Sequence, residues 1–345
     1  MSMIPAAGAD DFATGSFMPP PGLRHRHVQT ILSNLPLNAL VTRRRTEALL
    51  NASREEIVEC GDGVRLMGVM SARPSAARGL VILLHGWEGC ADSGYMLSAG
   101  ATLHERGHDV FRLNFRDHGG THTLNEGIFH SCRIDEVVNA VKAIQDRHRA
   151  PRTVLVGFSL GGNFALRVAV RAAVADIDLD RVVAVCPVLR PSNTMQALET
   201  GLWVYRRYFL KRWRRSLAAK SRIFPGRYDF GDLRRLRTLS ATTEYLVTRY
   251  SGFPDLDTYL DGYAITGRAL EGLDVPTRII AAADDPVIPA GDLADLARSS
   301  ALSVSLFPHG GHCGFVAGYS LRNWLDDAIA GLLEAPVSEL RAASP

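Results

Sequence analysis

Residues 153–163 have the sequence TVLVGFSLGGN, and this stretch decides the fold. It begins with an apolar run of strand length and leads into a helical pattern. Between the two lies Ser159, with Gly157 and Gly161 two positions away on either side. A serine on a sharp strand-to-helix turn has a strained backbone, and small neighbours relieve the crowding. The stretch therefore predicts a buried strand that ends at an exposed serine nucleophile.

Similar apolar runs recur along the chain and alternate with stretches of helical spacing. They predict strands at residues 80–84, 109–115, 181–185, 277–281 and 303–307. A helix is predicted over residues 292–299. Apolar strands that alternate with helices indicate a parallel sheet covered on both faces. Glycines around Asp62 favour a preceding antiparallel hairpin over residues 55–71. The prediction is an α/β fold, with a mostly parallel sheet, an antiparallel N-terminal hairpin, helices on both faces and an inserted helical cap.

The alternation stops between residues 188 and 265, where the sequence is aromatic and basic. This segment has 14 Lys+Arg and 7 Asp+Glu, a net charge of +7, in a chain whose net charge is +3. The remainder therefore carries −4, and this asymmetry predicts a separate helical cap. The predicted organisation has an N-terminal extension at 1–54, an α/β core at 55–187 and 266–337, the cap at 188–265, and a tail at 338–345.

The composition argues against several classes of protein. The 345 residues include 39 Lys+Arg and 36 Asp+Glu, a balance unlike that of a dedicated nucleic-acid binder. The longest charge-free apolar stretch near the centre, Thr153–Leu166, is too short for a membrane span. Five cysteines without a CxxC pair disfavour a disulfide scaffold and a zinc site. No signal-peptide pattern opens the chain, so a cytoplasmic location is predicted.

A serine nucleophile requires a base and an acid that orients the base. Asp284 and Asp285 follow the strand predicted at 277–281, and His309 and His312 follow the strand predicted at 303–307. Both pairs therefore lie in loops at the carboxyl edge of the sheet, where ligands collect. We favour Asp285, because the sequence after it is Pro-Val-Ile-Pro and would fix the loop. We favour His312, because glycine-rich sequence flanks it.

The oxyanion of an acyl intermediate requires preorganised N–H donors. One predicted donor is the backbone N–H of Leu160, the residue after the nucleophile. The other is the N–H of Trp87, in the glycine-rich loop after the first parallel strand. These two residues form the predicted oxyanion hole.

Several other polar residues have simpler interpretations. Arg116 could contact substrate, but a salt bridge that holds its loop is the favoured interpretation. His118, His122 and His130 lack the spacing of a metal site, so they are predicted to be solvated loop histidines. We predict no metal ligands.

The predicted cap contains a basic amphipathic helix over residues 202–217. Its apolar stripe consists of Leu202, Tyr205, Phe209, Trp213 and Leu217. Arginines and a lysine fill the other faces. Two interpretations stay open: peripheral contact of the helix with an anionic membrane surface, or packing of the stripe on the core with the arginines outside.

Together these motifs resemble the α/β-hydrolase superfamily and, more narrowly, its YheT-like branch, which is related to plant embryogenesis-associated hydrolases and animal membrane-linked lipases. The matching segments include residues 17–20, 28–32, 84–86, 114–116, 129–131, 157–163, 284–286 and 310–315. This chain departs from the branch at Asp117 and Cys132, where glycine is usual.

The resemblance implies a Ser159–Asp285–His312 triad that cleaves carboxylic esters as an esterase or lipase, without metal or organic cofactor. The expected partner is a small acyl ester or lipid, and no nucleic acid. Two alternatives stay open. One is a thioesterase or amidase with the same triad, and the other is a non-catalytic binder of lipids or small esters on a hydrolase fold.

Overall fold

The computed structural model describes residues 17–33 and 46–336. The predicted tail at 338–345 and parts of the predicted N-terminal extension therefore lie outside the described residues. Eight strands form one sheet in the order β1-β2-β4-β3-β5-β6-β7-β8. Their bounds are β1 Ser53–Glu59, β2 Arg65–Ser71, β3 Leu80–Leu84, β4 Asp109–Asn114, β5 Thr153–Phe158, β6 Arg181–Val185, β7 Thr277–Ala282 and β8 Leu302–Phe307.

The helices follow the alternation that the sequence predicts. Their bounds are α1 Arg26–Leu32, α2 Gly94–Glu105, α3 Ile134–Arg147, α4 Leu160–Arg171, α5 Pro191–Thr200, α6 Trp203–Ile223, α7 Leu239–Tyr250, α8 Leu256–Asp261 and α9 Trp324–Glu334. Residues 46–51 are also helical. Within the described ranges, 3-10 helices cover Pro21–Leu23, Gly231–Arg234 and Ala290–Asp295. Helices α5 to α8 all lie between β6 and β7, within the predicted cap segment.

The sheet is antiparallel at one edge and parallel elsewhere. β2 pairs antiparallel with both β1 and β4, and every later pairing is parallel. This confirms the predicted α/β fold with its N-terminal hairpin. The strand directions follow from the connections, because the short hairpin loop at residues 60–64 reverses the chain whereas a helical crossover preserves its direction.

The core lies on both faces of the sheet. In β3, Leu80, Ile82 and Leu84 pack into one apolar cluster, whereas Val81 and Leu83 pack into the other. Successive strand side chains point to opposite faces, so a strand between two helical layers must be apolar throughout. Each fully buried aliphatic side chain contributes about 1.5–3 kcal/mol of transfer free energy. The carboxyl ends of the parallel strands are thereby held at one edge.

The prediction of a helix over residues 292–299 is wrong. This segment instead contains the 3-10 helix Ala290–Asp295 and has no regular structure after it. Leu293 and Leu296 both pack against the core. Leu296 lies just after the 3-10 helix in extended backbone, so the apolar spacing that predicted an α-helix comes from a short 3-10 turn and the residue that follows it.

Candidate active site

Ser159 lies at the turn between β5 and α4 with φ +55° and ψ −117°. This left-handed backbone is rare for a residue with a side chain and is held by the surrounding structure. The Ser159 N–H donates to the Val185 carbonyl at 2.8 Å. A Cβ on Gly157 would lie 2.2 Å from the Gly161 carbonyl oxygen, and one on Gly161 would lie 2.3 Å from the Leu84 carbonyl oxygen. Only glycine fits at either position.

The structure brings Ser159, His312 and Asp285 into one chain of hydrogen bonds. His312 Nε2 lies 2.9 Å from Ser159 Oγ, and His312 Nδ1 lies 2.9 Å from Asp285 Oδ2. The three residues come from the loops after β5, β7 and β8, which the parallel sheet places at one edge. This arrangement can move a proton from the serine hydroxyl to the imidazole.

Asp285 is held by its own loop. Its Oδ1 accepts the N–H of Val287 at 2.7 Å and the N–H of Ile288 at 2.9 Å, and only 2% of its side chain is exposed. The competing Asp284 points elsewhere, where its Oδ1 accepts the Gly311 N–H at 2.9 Å. The competing His309 lies 3.7 Å from Asp284 and has no contact with the serine.

The electrostatics of His312 favour its protonated form. Burial lowers its pKa, but the adjacent Asp285 carboxylate outweighs burial and raises the pKa to about 9. The same carboxylate fixes the imidazole by accepting the Nδ1 proton, so that the neutral ring presents an unprotonated Nε2 to Ser159. Asp285 therefore sets both the orientation of His312 and its basicity.

The two predicted oxyanion donors have free N–H groups. Within the described part of the chain, neither Trp87 N nor Leu160 N donates a hydrogen bond. Leu160 is the first residue of α4, where backbone N–H groups have no intrahelical acceptor and the helix dipole favours an anion. Trp87 follows Gly86, whose N–H donates to the Tyr95 hydroxyl at 2.9 Å.

Two buried histidines support the Trp87 loop. His85 Nδ1 donates to the Gly86 carbonyl, and His85 Nε2 accepts the Phe115 N–H at 3.1 Å. His118 Nε2 accepts the Glu88 N–H at 3.3 Å. The prediction that His118 is a solvated loop residue is therefore wrong. Burial lowers the pKa of His118 to about 4, which keeps it neutral and able to accept. Its position in the loop that follows the apolar strand β4 was the available signal.

The loop after β4 is clamped by ion pairs. Arg116 makes a salt bridge to Glu136 at 2.8 Å, with both side chains nearly buried, which confirms the salt-bridge interpretation of Arg116. Asp117, in a left-handed conformation with φ +63°, pairs with Lys220 of α6 at 2.8 Å. The contact between Asp117 and Lys220 was not predicted, because it joins positions that are far apart in the sequence.

A narrow cavity of about 80 Å³ opens at Ser159 and His312. Most of its lining is apolar or aromatic and comes from the Trp87 loop and from the cap. The lining side chains include Trp87, Phe129, Met195, Leu198, Phe209, Trp213 and Tyr263. An apolar lining with a few polar groups at one end is the usual character of a small-molecule site.

The predicted stripe of α6 packs inward. Tyr205 and Leu217 are buried, and Phe209 stacks on Trp87 with ring centroids 4.9 Å apart and planes 11° apart. Trp213 meets the same indole edge-on at 5.2 Å. The packing interpretation of the stripe is thus confirmed. The cationic residues Arg207, Lys211 and Arg215 stay exposed on the outer face of α6.

One group of potential metal ligands lies beside the serine, in the described residues. Ligand atoms of Cys186, His312 and Cys313 lie within 4.8 Å of one another. Both ring nitrogens of His312 already take part in hydrogen bonds to Asp285 and Ser159, so the imidazole has no free lone pair for a metal. No helix among residues 17–33 and 46–336 is both long and apolar enough to cross a bilayer.

The strained serine, its hydrogen-bonded histidine and the eight-stranded sheet agree with a family match. The family described as "alpha/beta hydrolase fold" matches residues 79–319. The chain belongs to this family. The match spans the sheet from β3 to β8 and includes all three hydrogen-bonded residues.

Two relatives place the chain within the YheT-like branch of the family, as the motifs predicted. It is 26% identical over 341 residues to the Escherichia coli (strain K12) protein named "Putative esterase YheT", with 95% of this chain and 96% of that protein covered. It is 28% identical over 232 residues to human Protein ABHD15, covering 65% of this chain and 48% of that protein.

Solved structures share the fold. The Pyrococcus furiosus esterase Pf2001 superposes with a TM-score of 0.52 at 15% identity, covering 82% of this chain and 89% of that one. The mouse alpha/beta hydrolase domain-containing protein 10 gives a TM-score of 0.51 at 13% identity, with 81% and 98% covered. At this identity the likeness concerns the fold alone.

Proposed function

We propose that this protein is a serine hydrolase that cleaves carboxylic esters through an acyl-enzyme intermediate. The observation that carries the proposal is the continuous hydrogen-bond chain from Ser159 Oγ through His312 to Asp285, with 2.9 Å at each step. The esterase name of the bacterial relative and the free donors near the serine add support.

In the proposed mechanism His312 Nε2 accepts the hydroxyl proton of Ser159 as Oγ attacks the acyl carbonyl. Asp285 stabilises the imidazolium that forms, and the N–H groups of Leu160 and Trp87 donate to the oxyanion. The C–O bond to the alcohol then breaks, and the alcohol leaves with the proton from His312. Water, deprotonated by His312, attacks the acyl-enzyme and releases the acid and free Ser159.

The size of the cavity points to small acyl groups. About 80 Å³ of apolar space at Ser159 suits a short chain better than a long one. We therefore expect acetyl to butyryl esters to be better substrates than long-chain esters. A thioesterase or amidase would use the same groups, so thioester and amide substrates belong in the same comparison.

The test is hydrolysis of p-nitrophenyl esters of graded acyl length by the wild type and Ser159→Ala. We expect Ser159→Ala to lose at least about 10⁴-fold in kcat. Ser131→Ala is the matched control, because Ser131 lines the same cavity without contacting His312. Covalent labelling by a fluorophosphonate, in which a serine oxygen displaces fluoride, should occur in the wild type and the control and be absent from Ser159→Ala.

Two results would contradict the proposal. Equal activity of the wild type and Ser159→Ala would show that Ser159 is not the nucleophile. A folded wild type that neither hydrolyses any ester, thioester or amide nor reacts with the fluorophosphonate would favour the non-catalytic binding alternative.

A further inference from the structure

The outer face of α6 is cationic. The helix contains eight Lys and Arg residues and no acidic residue. Its inward positions include Lys220, which is bound to Asp117. On the opposite arc Arg207, Lys211 and Arg215 are exposed, and among the described residues they form no ion pair. Such a concentration of one charge on one helix face requires a reason, because like charges within a helix repel each other.

The cationic face borders a groove of about 510 Å³, much larger than the cavity at Ser159. None of the residues that line the groove is acidic. Five of them are cations: Arg206, Arg207, Lys211, Arg214 and Arg237. Arg206 also pairs with Glu199 at 3.5 Å. Arg214 Nε is buried with no acceptor among the described residues. The groove therefore has the charge and the unmet donors of a site for anionic groups.

Exposed apolar side chains stand beside these cations. Trp203 is 60% exposed, Tyr208 48% and Val204 38%, all at the amino-terminal end of α6. A small inorganic anion such as phosphate would be bound by the cations alone and would leave these side chains in water. Tryptophan and tyrosine next to lysine and arginine are instead typical of helices that lie in the lipid headgroup region.

The position of α6 connects this face to the candidate active site. Phe209 and Trp213 on the inner side line the cavity at Ser159, whereas Trp203 and Arg207 line the groove on the other side. One helix diameter, about 10 Å, therefore separates the two. We propose that the outer face of α6, formed by Trp203, Val204, Arg207, Tyr208, Lys211 and Arg215, docks the protein peripherally on an anionic lipid bilayer.

The electrostatic part is tested by co-sedimentation with vesicles of phosphatidylcholine, with and without phosphatidylglycerol. We expect the wild type to bind only the anionic vesicles and to dissociate at high salt. Arg207→Glu with Lys211→Glu should lower the partition coefficient by at least about ten-fold. Arg149→Glu with Arg298→Glu is the matched control. It makes the same charge change at exposed positions next to the amino ends of β5 and β8, and it should bind like the wild type.

The apolar part is tested at Trp203. Trp203→Ser should weaken binding to anionic vesicles by several-fold, whereas Trp203→Phe should retain most of it. The loss of a tryptophan that enters the bilayer should also remove the quenching of intrinsic fluorescence by brominated lipid. Ser159→Ala should bind vesicles like the wild type. A failure of the docking proposal can therefore be distinguished from a failure of the proposed hydrolysis.

Three results would overturn the docking proposal. The first is equal binding to neutral and anionic vesicles or to neither. The second is an equal loss in the α6 variant and the Arg149/Arg298 control, which would indicate net charge rather than this face. The third is tight binding of single-stranded RNA or inorganic polyphosphate, lost in the α6 variant, without vesicle binding. That result would assign the groove to a soluble polyanion.

Discussion

At the scale of single residues, two adjacent aspartates follow β7, and only Asp285 contacts His312. Asp285 Oδ1 is held by two backbone N–H groups, and these bonds aim Oδ2 at the imidazole. Asp284 accepts one N–H from Gly311 and so holds the histidine loop in place. The two carboxylates therefore differ in function because of their backbone partners.

Exchanging each aspartate for asparagine separates these functions. We expect Asp285→Asn to lower kcat by about 10⁴-fold, because an amide N–H facing His312 Nδ1 stabilises the wrong tautomer. Asp284→Asn retains an oxygen acceptor for the Gly311 N–H and should lower kcat by no more than about ten-fold. Steady-state kinetics on a short-chain ester measure the loss of kcat in each variant. Equal losses in both variants would contradict the assignment of Asp285.

The raised pKa of His312 predicts the pH dependence. Catalysis requires neutral His312, and the Asp285 carboxylate raises its pKa to about 9, so the imidazole is mainly protonated at pH 7. The active fraction therefore grows as the pH rises, and kcat/KM should increase through the range from neutral to about pH 9. Initial rates corrected for spontaneous ester hydrolysis measure this. A profile that is flat above pH 7 would contradict it.

At the scale of elements, a buried ion pair fastens α6 to the loop after β4. The side chains of Lys220 and Asp117 are 1% and 6% exposed, and their charged atoms lie 2.8 Å apart. Asp117 Oδ2 also accepts the N–H of Phe129, a residue that lines the cavity at Ser159. Burial raises the pKa of Asp117 and lowers that of Lys220, which shows the desolvation cost that their attraction must offset.

Removal of the Lys220 cation should therefore lower the free energy of unfolding substantially. Lys220→Met leaves the Asp117 carboxylate buried without its partner, and we expect a loss of about 3–5 kcal/mol in the free energy of unfolding. Adding Asp117→Gly should recover part of this loss, because glycine removes the charge and tolerates the positive φ. Urea denaturation provides the measurement.

Lys142→Met is the control for this prediction. Lys142 pairs with Asp146 at 2.7 Å, but both side chains are substantially exposed to solvent. Solvent screens an exposed pair of this kind, so it contributes little to stability. If Lys220→Met costs no more than Lys142→Met, the ion pair does not fasten the cap.

At the scale of the whole molecule, the cap helix α6 forms one wall of the cavity at Ser159. Phe209 closes that wall by stacking on Trp87 of the core loop. Leu210, the next residue, is turned toward the basic groove. The acyl length that the cavity accepts should therefore depend on how the cap meets the core.

Phe209→Ala should shift the preference toward longer acyl chains, because it removes the ring that narrows the cavity. Leu210→Ala removes the neighbouring buried side chain from the same helix and should leave the preferred length unchanged. The ratio of kcat/KM for long and short p-nitrophenyl esters measures the shift. The same shift in both variants would indicate general loosening of the cap, and no shift in Phe209→Ala would mean that another element limits the chain length.

The sequence by itself determined the α/β fold and where along the chain its strands lie. It did so because strands buried on both faces are apolar throughout, as in β3, and because the hairpin has its own turn signal. It also singled out Ser159, since glycines at 157 and 161 are required where a Cβ would collide with backbone. It narrowed the acid and the base to two aspartates and two histidines in loops at the carboxyl edge.

Only the tertiary structure decided which side chains meet. A hydrogen bond between side chains requires a distance correct to within a few tenths of an ångström and a suitable angle. No local sequence pattern encodes this geometry. The sequence could therefore favour Asp285 and His312 but could not show that they are in contact. The buried role of His118 and the pairing of Lys220 with Asp117 depend on segments distant in sequence. The outer face of α6 could be recognised as free only once Tyr205 and Phe209 had been placed inside, because the sequence pattern of a basic amphipathic helix is the same on a membrane as on a protein core.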